Sequence, residues 1–544
     1  MRRAVVVSVL STVLGVFAAG AADIPRLSLR MRGNQNADDA TWASTLKAIS
    51  ENPGCCDDVW FSTGTAFPEI GWHRANADRI IRYSRELRER GISASLQFQA
   101  TLGHGDSLAD PELFTGKTWR GFTGIGGVEC RYCNCPRQRA FLDYVGKISE
   151  WYAEAKPYCV WIDDDLRIAN HRPATEGGGK LNLGCWCDDC IAAFNAETGG
   201  DWNRERLAEA VAKDERLFAS WRKFSLDSVL EVARVVCAAF HKVSPGTMMG
   251  IQHCCGIDYV PDIVKTLRET TGNPVGVRPG GGMYYETDLR NQMYKAIDSG
   301  AMRRVWGDAD YVSIWCPEVE TWPRAYASRS AQSLIIEAFA SVAYGMNSMS
   351  FFIMDSRYED APLYSVSLLK PLAAAAPVLA GYARACDGTR PVGFSVKGDS
   401  RRFYQFALTG VPLVRWGDAA AELPAANLNF NLHAEGSNAI QARRDELDGL
   451  AGGLPAKLAS PFVGLMIPRV DADGRLRTLA LVNTRIDEQG PVEVLLREKP
   501  AADKLIWREL RRAPVEVSVV PAGDGAKVVI PSVSAWNGGY LEFR

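Results

Sequence analysis

Between residues 26 and 388, eight short strand-like runs alternate with stretches patterned as helices, which narrows the chain to two architectures. The runs lie at 27–32, 58–63, 92–99, 159–162, 246–253, 274–278, 310–316 and 346–353. Helical spacing marks the intervening stretches. Ile80, Ile81 and Leu87 share one face of 73–90, and Phe141, Val145, Ile148 and Tyr152 share one face of 136–156. Further helices are expected at 40–49, within 188–243, and at 259–269, 288–301, 330–344 and 368–385. Strand and helix in strict alternation make a parallel sheet covered by helices, closed as a (β/α)8 TIM barrel or open and doubly wound. The first strand is not followed by a Gly-rich phosphate loop, and eight repeats over this length fit the barrel.

Past Asp387-Gly388 the pattern changes. Residues 389–455 are mixed, read as a reduced middle α/β segment. From 456 to 544, short strands at 463–467, 479–482, 492–496, 515–519 and 528–530 predict a C-terminal antiparallel, β-sandwich-like domain. At the other end, Met1-Arg-Arg precedes an apolar run over 4–19 and small residues up to Ala22. This reads as a signal peptide over 1–22, leaving a barrel over 23–388 and an exported protein, periplasmic or secreted. No other stretch is long and apolar enough for a membrane span. A formal net charge of -2 without a basic patch excludes nucleic acid as the expected partner. A homo-oligomer is left open.

In a barrel the chemistry sits at the C-terminal ends of the strands. The fourth strand ends in Asp163-Asp164-Asp165, three carboxylates that cost free energy unless paired or used. The seventh runs into Glu318-Val-Glu320, whose two acids share a face if the strand continues, with Trp322 as an apolar platform for a sugar ring. Two carboxyl groups across a cleft are what cleavage of a glycosidic bond needs, one to protonate the leaving oxygen and one to attack or to activate water. Other strand ends are polar too. Thr101-Leu-Gly-His104 follows strand three, Gln252-His253 ends strand five, Arg278 ends strand six and Asp355 follows strand eight. Such groups bind the hydroxyls of a carbohydrate substrate.

Cys185-Trp-Cys187-Asp-Asp-Cys190 places three thiolates within reach of one tetrahedral Zn²⁺. A fourth ligand must come from elsewhere, Cys135 or Cys133, and four thiolates would close the site and make it structural. A disulfide plus a free thiol is the alternative in an exported chain.

The acidic strand, the cysteine triplet and the following Ile191-Ala-Ala-Phe-Asn-Ala-Glu-Thr198 together resemble the glycoside hydrolase family 42 β-galactosidases, over roughly residues 55 to 390. The resemblance implies that Asp165 stands at the acid/base position, where the family carries Glu, and Asp164 at the neighbouring Asn. It implies that Glu320, in Glu320-Thr-Trp-Pro323, is the nucleophile, with Glu318 in reserve, and that Cys135, followed by Pro136, is the fourth zinc ligand. Alternation puts Asp163 and Asp165 on one side of the strand, Asp163 deeper and orienting a neighbour. Arg278 or another cationic partner is expected to hold Glu320 charged. Asp163, Asp164, His104, His253, Arg278, Trp322 and Asp355 are the expected substrate-binding residues. The expected activity is that of an exported retaining glycoside hydrolase, β-galactosidase-like and exo-acting, on a glycan or oligosaccharide. Two alternatives stand beside it: a non-catalytic carbohydrate-binding protein on a decayed barrel, and a metal-dependent hydrolase using the aspartates with His104, His171 or His253.

Overall fold

The computed structural model describes residues 26–32, 36–65, 67–99, 101–105, 111–168, 179–254, 257–280, 289–306, 310–320, 329–352, 361–397, 406–414, 421–424, 436–450 and 453–543. The first of its two large sheets is all parallel. Its strands are β1 (Arg26–Arg30), β2 (Asp58–Ser62), β3 (Ser93–Phe98), β4 (Cys159–Ile162), β5 (Met248–Cys254), β6 (Val275–Gly280), β7 (Val312–Trp315, resuming at Glu318–Glu320) and β8 (Ser348–Phe352). The first half of β7 pairs with β6 and the second half with β8, and β8 pairs with β1, so the ring closes through β7. The interruption falls at Cys316-Pro317, because Pro317 has no N–H to give to the ladder.

Helices α1 (Asp39–Ser50), α2 (Ile70–Arg88), α3 (Arg139–Ala153), α4 (Asp188–Thr198), α5 (Arg204–Lys213), α6 (Glu215–Val243), α7 (Val260–Thr271), α8 (Leu289–Val305), α9 (Ala331–Ala343) and α10 (Ala361–Cys386) cover the ring. The expected helical region 188–243 divides into three. Gly199 ends α4 in the left-handed conformation, and the side chains of Asn203 and Asp214 cap α5 and α6. A hairpin of Gly121–Thr123 and Glu129–Asn134 interrupts the connection from β3 to α3.

Alternation sorts each barrel strand into an outward apolar set and an inward set. Leu29, Val59, Phe61, Leu96, Ile162, Ile251 and Val277 join the core beneath the helices. Trp60, Cys159, Trp161, Ile314 and Cys316 form a separate cluster, the barrel's inner core. Trp161 stacks on Trp60 with centroids 4.5 Å apart. Its ring also fills the space left by Gly250 and Gly276, where an added Cβ would stand 2.6 Å from it. Below this layer the Asp58 carboxylate accepts from Trp60 Nε1 (2.8 Å), Ser95 Oγ (2.8 Å) and Ser93 Oγ (2.6 Å). Above it lies the polar end considered below.

The second sheet has nine strands, all antiparallel: Arg390–Pro391, Gly464–Val470, Leu476–Asn483, Asn537–Glu542, Lys504–Glu509, Val515–Ala522, Gly525–Ile530, Val492–Leu496 and Ala456–Leu458, in spatial order. It packs on α9 and α10 through a stack of Phe339, Tyr382 and Tyr540, with centroids 4.7 and 4.6 Å apart. Arg469, 3% exposed, reaches across to the Ala343 carbonyl at 2.7 Å. Between the two sheets, Phe394–Lys397 pairs in parallel with Ala421–Pro424, and α11 (Ser437–Leu450) follows.

Candidate active site

Alternation carries a second set of inward residues to the C-terminal end of the barrel, just above Trp161. They are Arg30 from β1, Asp163 at the end of β4, Gln252 from β5, Arg278 from β6 and Glu318 and Glu320 from β7; all are buried. Three carboxylates and two guanidinium groups can share so small a volume only as a network. Arg278 Nη1 lies 2.7 Å from Glu318 Oε1, and Arg30 Nη1 lies 3.3 Å from the same oxygen and 4.0 Å from Glu320 Oε2. Burial opposes ionisation of Glu318, but Arg278, Lys295 and Arg30 outweigh it and hold the carboxyl at about 2. Gly280 makes room for this pair: a Cβ there would stand 2.6 Å from Arg278 Nη1 and 3.0 Å from Glu318 Oε2.

On the opposite side Asp163 Oδ1 accepts from Gln252 Nε2 at 3.2 Å, and Oδ2 lies 3.1 Å from His104 Nε2. Burial would raise this carboxyl, yet the His104 contact and the charges of His104, Arg30 and Arg278 bring it to about 2. His104 Nδ1 lies 3.9 Å from Asp164 Oδ1, and Arg167 Nη2 lies 3.8 Å from that oxygen. Asp164 is pushed up by burial and by Asp163, but Arg167, His104 and Arg278 leave it lowered.

The structure brings Asp163, Asp164, His104, Arg278, Glu318 and Glu320 together, and it corrects two other expectations. Asp165 does not reach the cleft. Strand β4 ends at Ile162 and the chain turns, so the alternation that should have aligned Asp165 with Asp163 stops. Asp165 is fully buried, its Oδ1 accepting from the Thr101 hydroxyl and its Oδ2 from the Gly103 amide. Burial dominates and raises it to about 6. His253 does not line the cleft either. Its neighbour Gln252 points inward, so His253 points outward, fully buried and edge-on to Tyr259, the N-cap residue of α7, at 5.9 Å. The cation expected beside Glu320 is Arg30 at 4.0 Å, while Arg278 meets Glu318. Trp322, Asp355 and His171 lie outside the described residues.

Sequence reading missed Arg30 and a buried trio behind Glu320. Arg329 Nη1 donates to the Glu320 carbonyl at 3.0 Å, and its Nη2 meets Glu337 Oε2 at 2.7 Å. Lys295 Nζ stands 3.3 Å from Glu337 Oε1. An inward-parity arginine in a buried parallel strand was a usable signal for Arg30.

The Cys135, Cys185, Cys187 and Cys190 sulfurs, all buried, lie within 4.8 Å of one another. Cys133 instead donates to the Gly103 carbonyl at 3.6 Å. Cys135 Sγ is 3.7 Å from Cys187 Sγ and 3.4 Å from Cys190 Sγ. Four thiolates on a tetrahedral Zn²⁺ with bonds of about 2.3 Å would stand roughly 3.8 Å apart, so this donor set fits a metal. No disulfide joins the described cysteines. The group sits against the hairpin. Thr123 N donates to Cys185 Sγ at 3.3 Å, and Asn134 Nδ2 donates to the Thr101 carbonyl at 2.8 Å. The thiol cluster is thereby tied to the loop that carries Thr101, Gly103 and His104. His104, Asp163 and Asp164 also converge, with Arg167 3.8 Å from Asp164.

Neither protein-family models nor curated proteins match this sequence. Solved structures do match in three dimensions. A catalytic mutant of a family 42 β-galactosidase from G. stearothermophilus superposes with a TM-score of 0.58 at 10% identity, over 96% of this chain and 98% of that one. An α-L-fucosidase from Paenibacillus thiaminolyticus gives 0.54 at 9% identity, over 95% and 99%. A β-galactosidase from Rahnella sp. R3 gives 0.53 at 12%, over 95% and 98%. The chain thus shares the fold of these solved glycoside hydrolases, a family 42 β-galactosidase among them: a TIM barrel followed by a β-domain.

Proposed function

We propose that the chain is a glycoside hydrolase acting on a carbohydrate at the C-terminal mouth of its barrel. The observation that carries this is the meeting of Asp163 and Asp164, just after β4, with Glu318 and Glu320 from β7 around two buried arginines. Glu320 is proposed as the nucleophile and the outcome as retention. Glu318 sits deeper, clamped by Arg278 and Arg30, while Glu320 lies 4.0 Å from Arg30. An arginine-bound carboxylate is ionised but has its lone pairs committed, which suits positioning better than attack. Zn²⁺ in the four-cysteine group is proposed as structural, tying the hairpin to α4. Export with cleavage near Ala22 is part of the same reading.

The test is a panel of aryl glycosides of different sugars, with product stereochemistry followed by NMR. Glu320→Gln should abolish turnover with the fold intact. Loss in Glu318→Gln with full activity in Glu320→Gln would move the nucleophile two residues back. Full activity in both ends the reading. The sealing of Asp165 favours one second reading, a sugar-binding barrel that no longer hydrolyses, for which glycosides would bind without turnover.

A further inference from the structure

We propose that His104 is the proton donor to the departing oxygen, held for this between Asp163 and Asp164. The proposal rests on the glycosidase reading of the same site. A proton donor has to reach the cleft, carry a proton at working pH and be held in one orientation. The three carboxyl groups after β4 each fail one requirement. Asp165 keeps a proton most readily of the three, but it is fully buried with both oxygens taken by Thr101 and Gly103. Asp163 receives donors on both oxygens and is held ionised. Asp164 reaches the mouth, but Arg167 and His104 keep it ionised.

His104 meets all three. Its side chain is 23% exposed at the mouth, and the 3.1 Å contact of Nε2 with Asp163 fixes the ring plane. Burial alone would lower its pKa; the hydrogen bond to Asp163 and the charges of Asp163, Asp165 and Asp164 overcome this and raise it to about 9. Asp163 and Asp164 face the ring, and Asp165 acts on it through its charge. Arg30 and Arg278 act on Asp163 and Arg167 acts on Asp164. The imidazolium is therefore the protonated form at neutral pH, with Nε2–H directed to Asp163 and Nδ1–H on the side of Asp164.

The chemistry balances in two steps. As the Glu320 carboxylate bonds to the anomeric carbon, the bond from that carbon to the departing oxygen breaks, and the oxygen takes the Nδ1 proton. A glycosyl ester on Glu320 and a neutral imidazole remain. Nδ1 then takes a proton from water as that water attacks the anomeric carbon, which releases the Glu320 carboxylate and restores the imidazolium.

The experiment compares wild type, His104→Gln, His104→Ala and Asp165→Asn on glycosides of the sugar found by the panel, with leaving groups from alkyl to dinitrophenyl. His104→Gln should lose ~10²–10⁴-fold in kcat/KM on alkyl glycosides and under about tenfold on dinitrophenyl glycosides, which need little protonation. It should also lose the alkaline limb near pH 9 that wild type shows. Added imidazole should restore His104→Ala. Asp165→Asn should keep the wild-type dependence on leaving group. The opposite pattern, with the leaving-group effect in Asp165→Asn and none in His104→Gln, overturns the proposal. One arm needs no turnover: NMR titration of the His104 ring should give a pKa well above 6.5, and a value at or below that overturns the proposal outright. An active wild type with an unimpaired His104→Gln removes this assignment alone, whereas a wild type inert on every glycoside removes the glycosidase reading with it.

Discussion

Adding a single methyl group at Gly250 should damage both the stability of the barrel and the geometry of its site. A Cβ at Gly250 would stand 2.6 Å from Trp161 Cε3 and 2.8 Å from Cζ3. The ring cannot retreat: it is 1% exposed, stacked on Trp60 and faced by Gly276. Overpacking of this kind costs about 1–3 kcal/mol. The loss of glycine's freedom in the unfolded chain offsets about 0.4–1 kcal/mol of that. Trp161→Ala alone should cost about 3–5 kcal/mol. In the double variant the collision is gone, so the two costs should couple by about 1–3 kcal/mol. Urea unfolding followed by near-ultraviolet circular dichroism, on the four proteins of the cycle, measures that coupling. Asp163 lies two residues beyond Trp161 on the same inward side, so a displaced ring shifts the carboxylate that holds His104, and kcat/KM of Gly250→Ala should fall as well. Additive costs within about 0.5 kcal/mol would show that the ring does not fill the glycine gap, and would refute the packing argument.

Protein purified without chelator should carry one zinc per chain by elemental analysis, and its removal should lower the melting temperature before it alters kcat; a disulfide among Cys135, Cys185, Cys187 and Cys190 would contradict this. Stability should depend on pH at both ends. His104, raised from 6.5 to about 9, contributes stability that is full below 6.5 and lost as pH rises through 9, about 3 kcal/mol in scale, and His104→Gln should flatten that limb in urea titrations. Asp163, lowered from 3.8 to about 2, contributes stability that is full above 3.8 and lost as pH falls through 2. Arg329→Met leaves Glu337 with Lys295 alone and frees the Glu320 carbonyl, so it should cost about 3–5 kcal/mol and lower kcat; an unchanged unfolding midpoint would show that the trio is not a unit.

Much of this molecule is written locally. Short strand-like runs bounded by breaks mark the parallel strands, and all eight fall where the pattern puts them, because each strand must turn an apolar set toward the covering helices. The β7 acids share a face because the strand does resume at Glu318. The spacing Cys185, Cys187, Cys190 brings three sulfurs together at the start of one helix. What lay beyond the sequence was decided by contacts between distant segments. Asp165 obeys strand alternation only while there is a strand, and its end at Ile162 is set by the loop that offers Thr101 and Gly103. His253 could be assigned inward or outward only once Gly250 was seen to face Trp161. Arg30 meets Glu318 across 288 positions of sequence, and Cys135 joins its cluster from another connection of the barrel. The alternation of burial is a property of the chain, but the free energy of a buried charge is set by the neighbours that other strands bring to it, and so which acid is held ionised and which is sealed away was decided by the closed barrel alone.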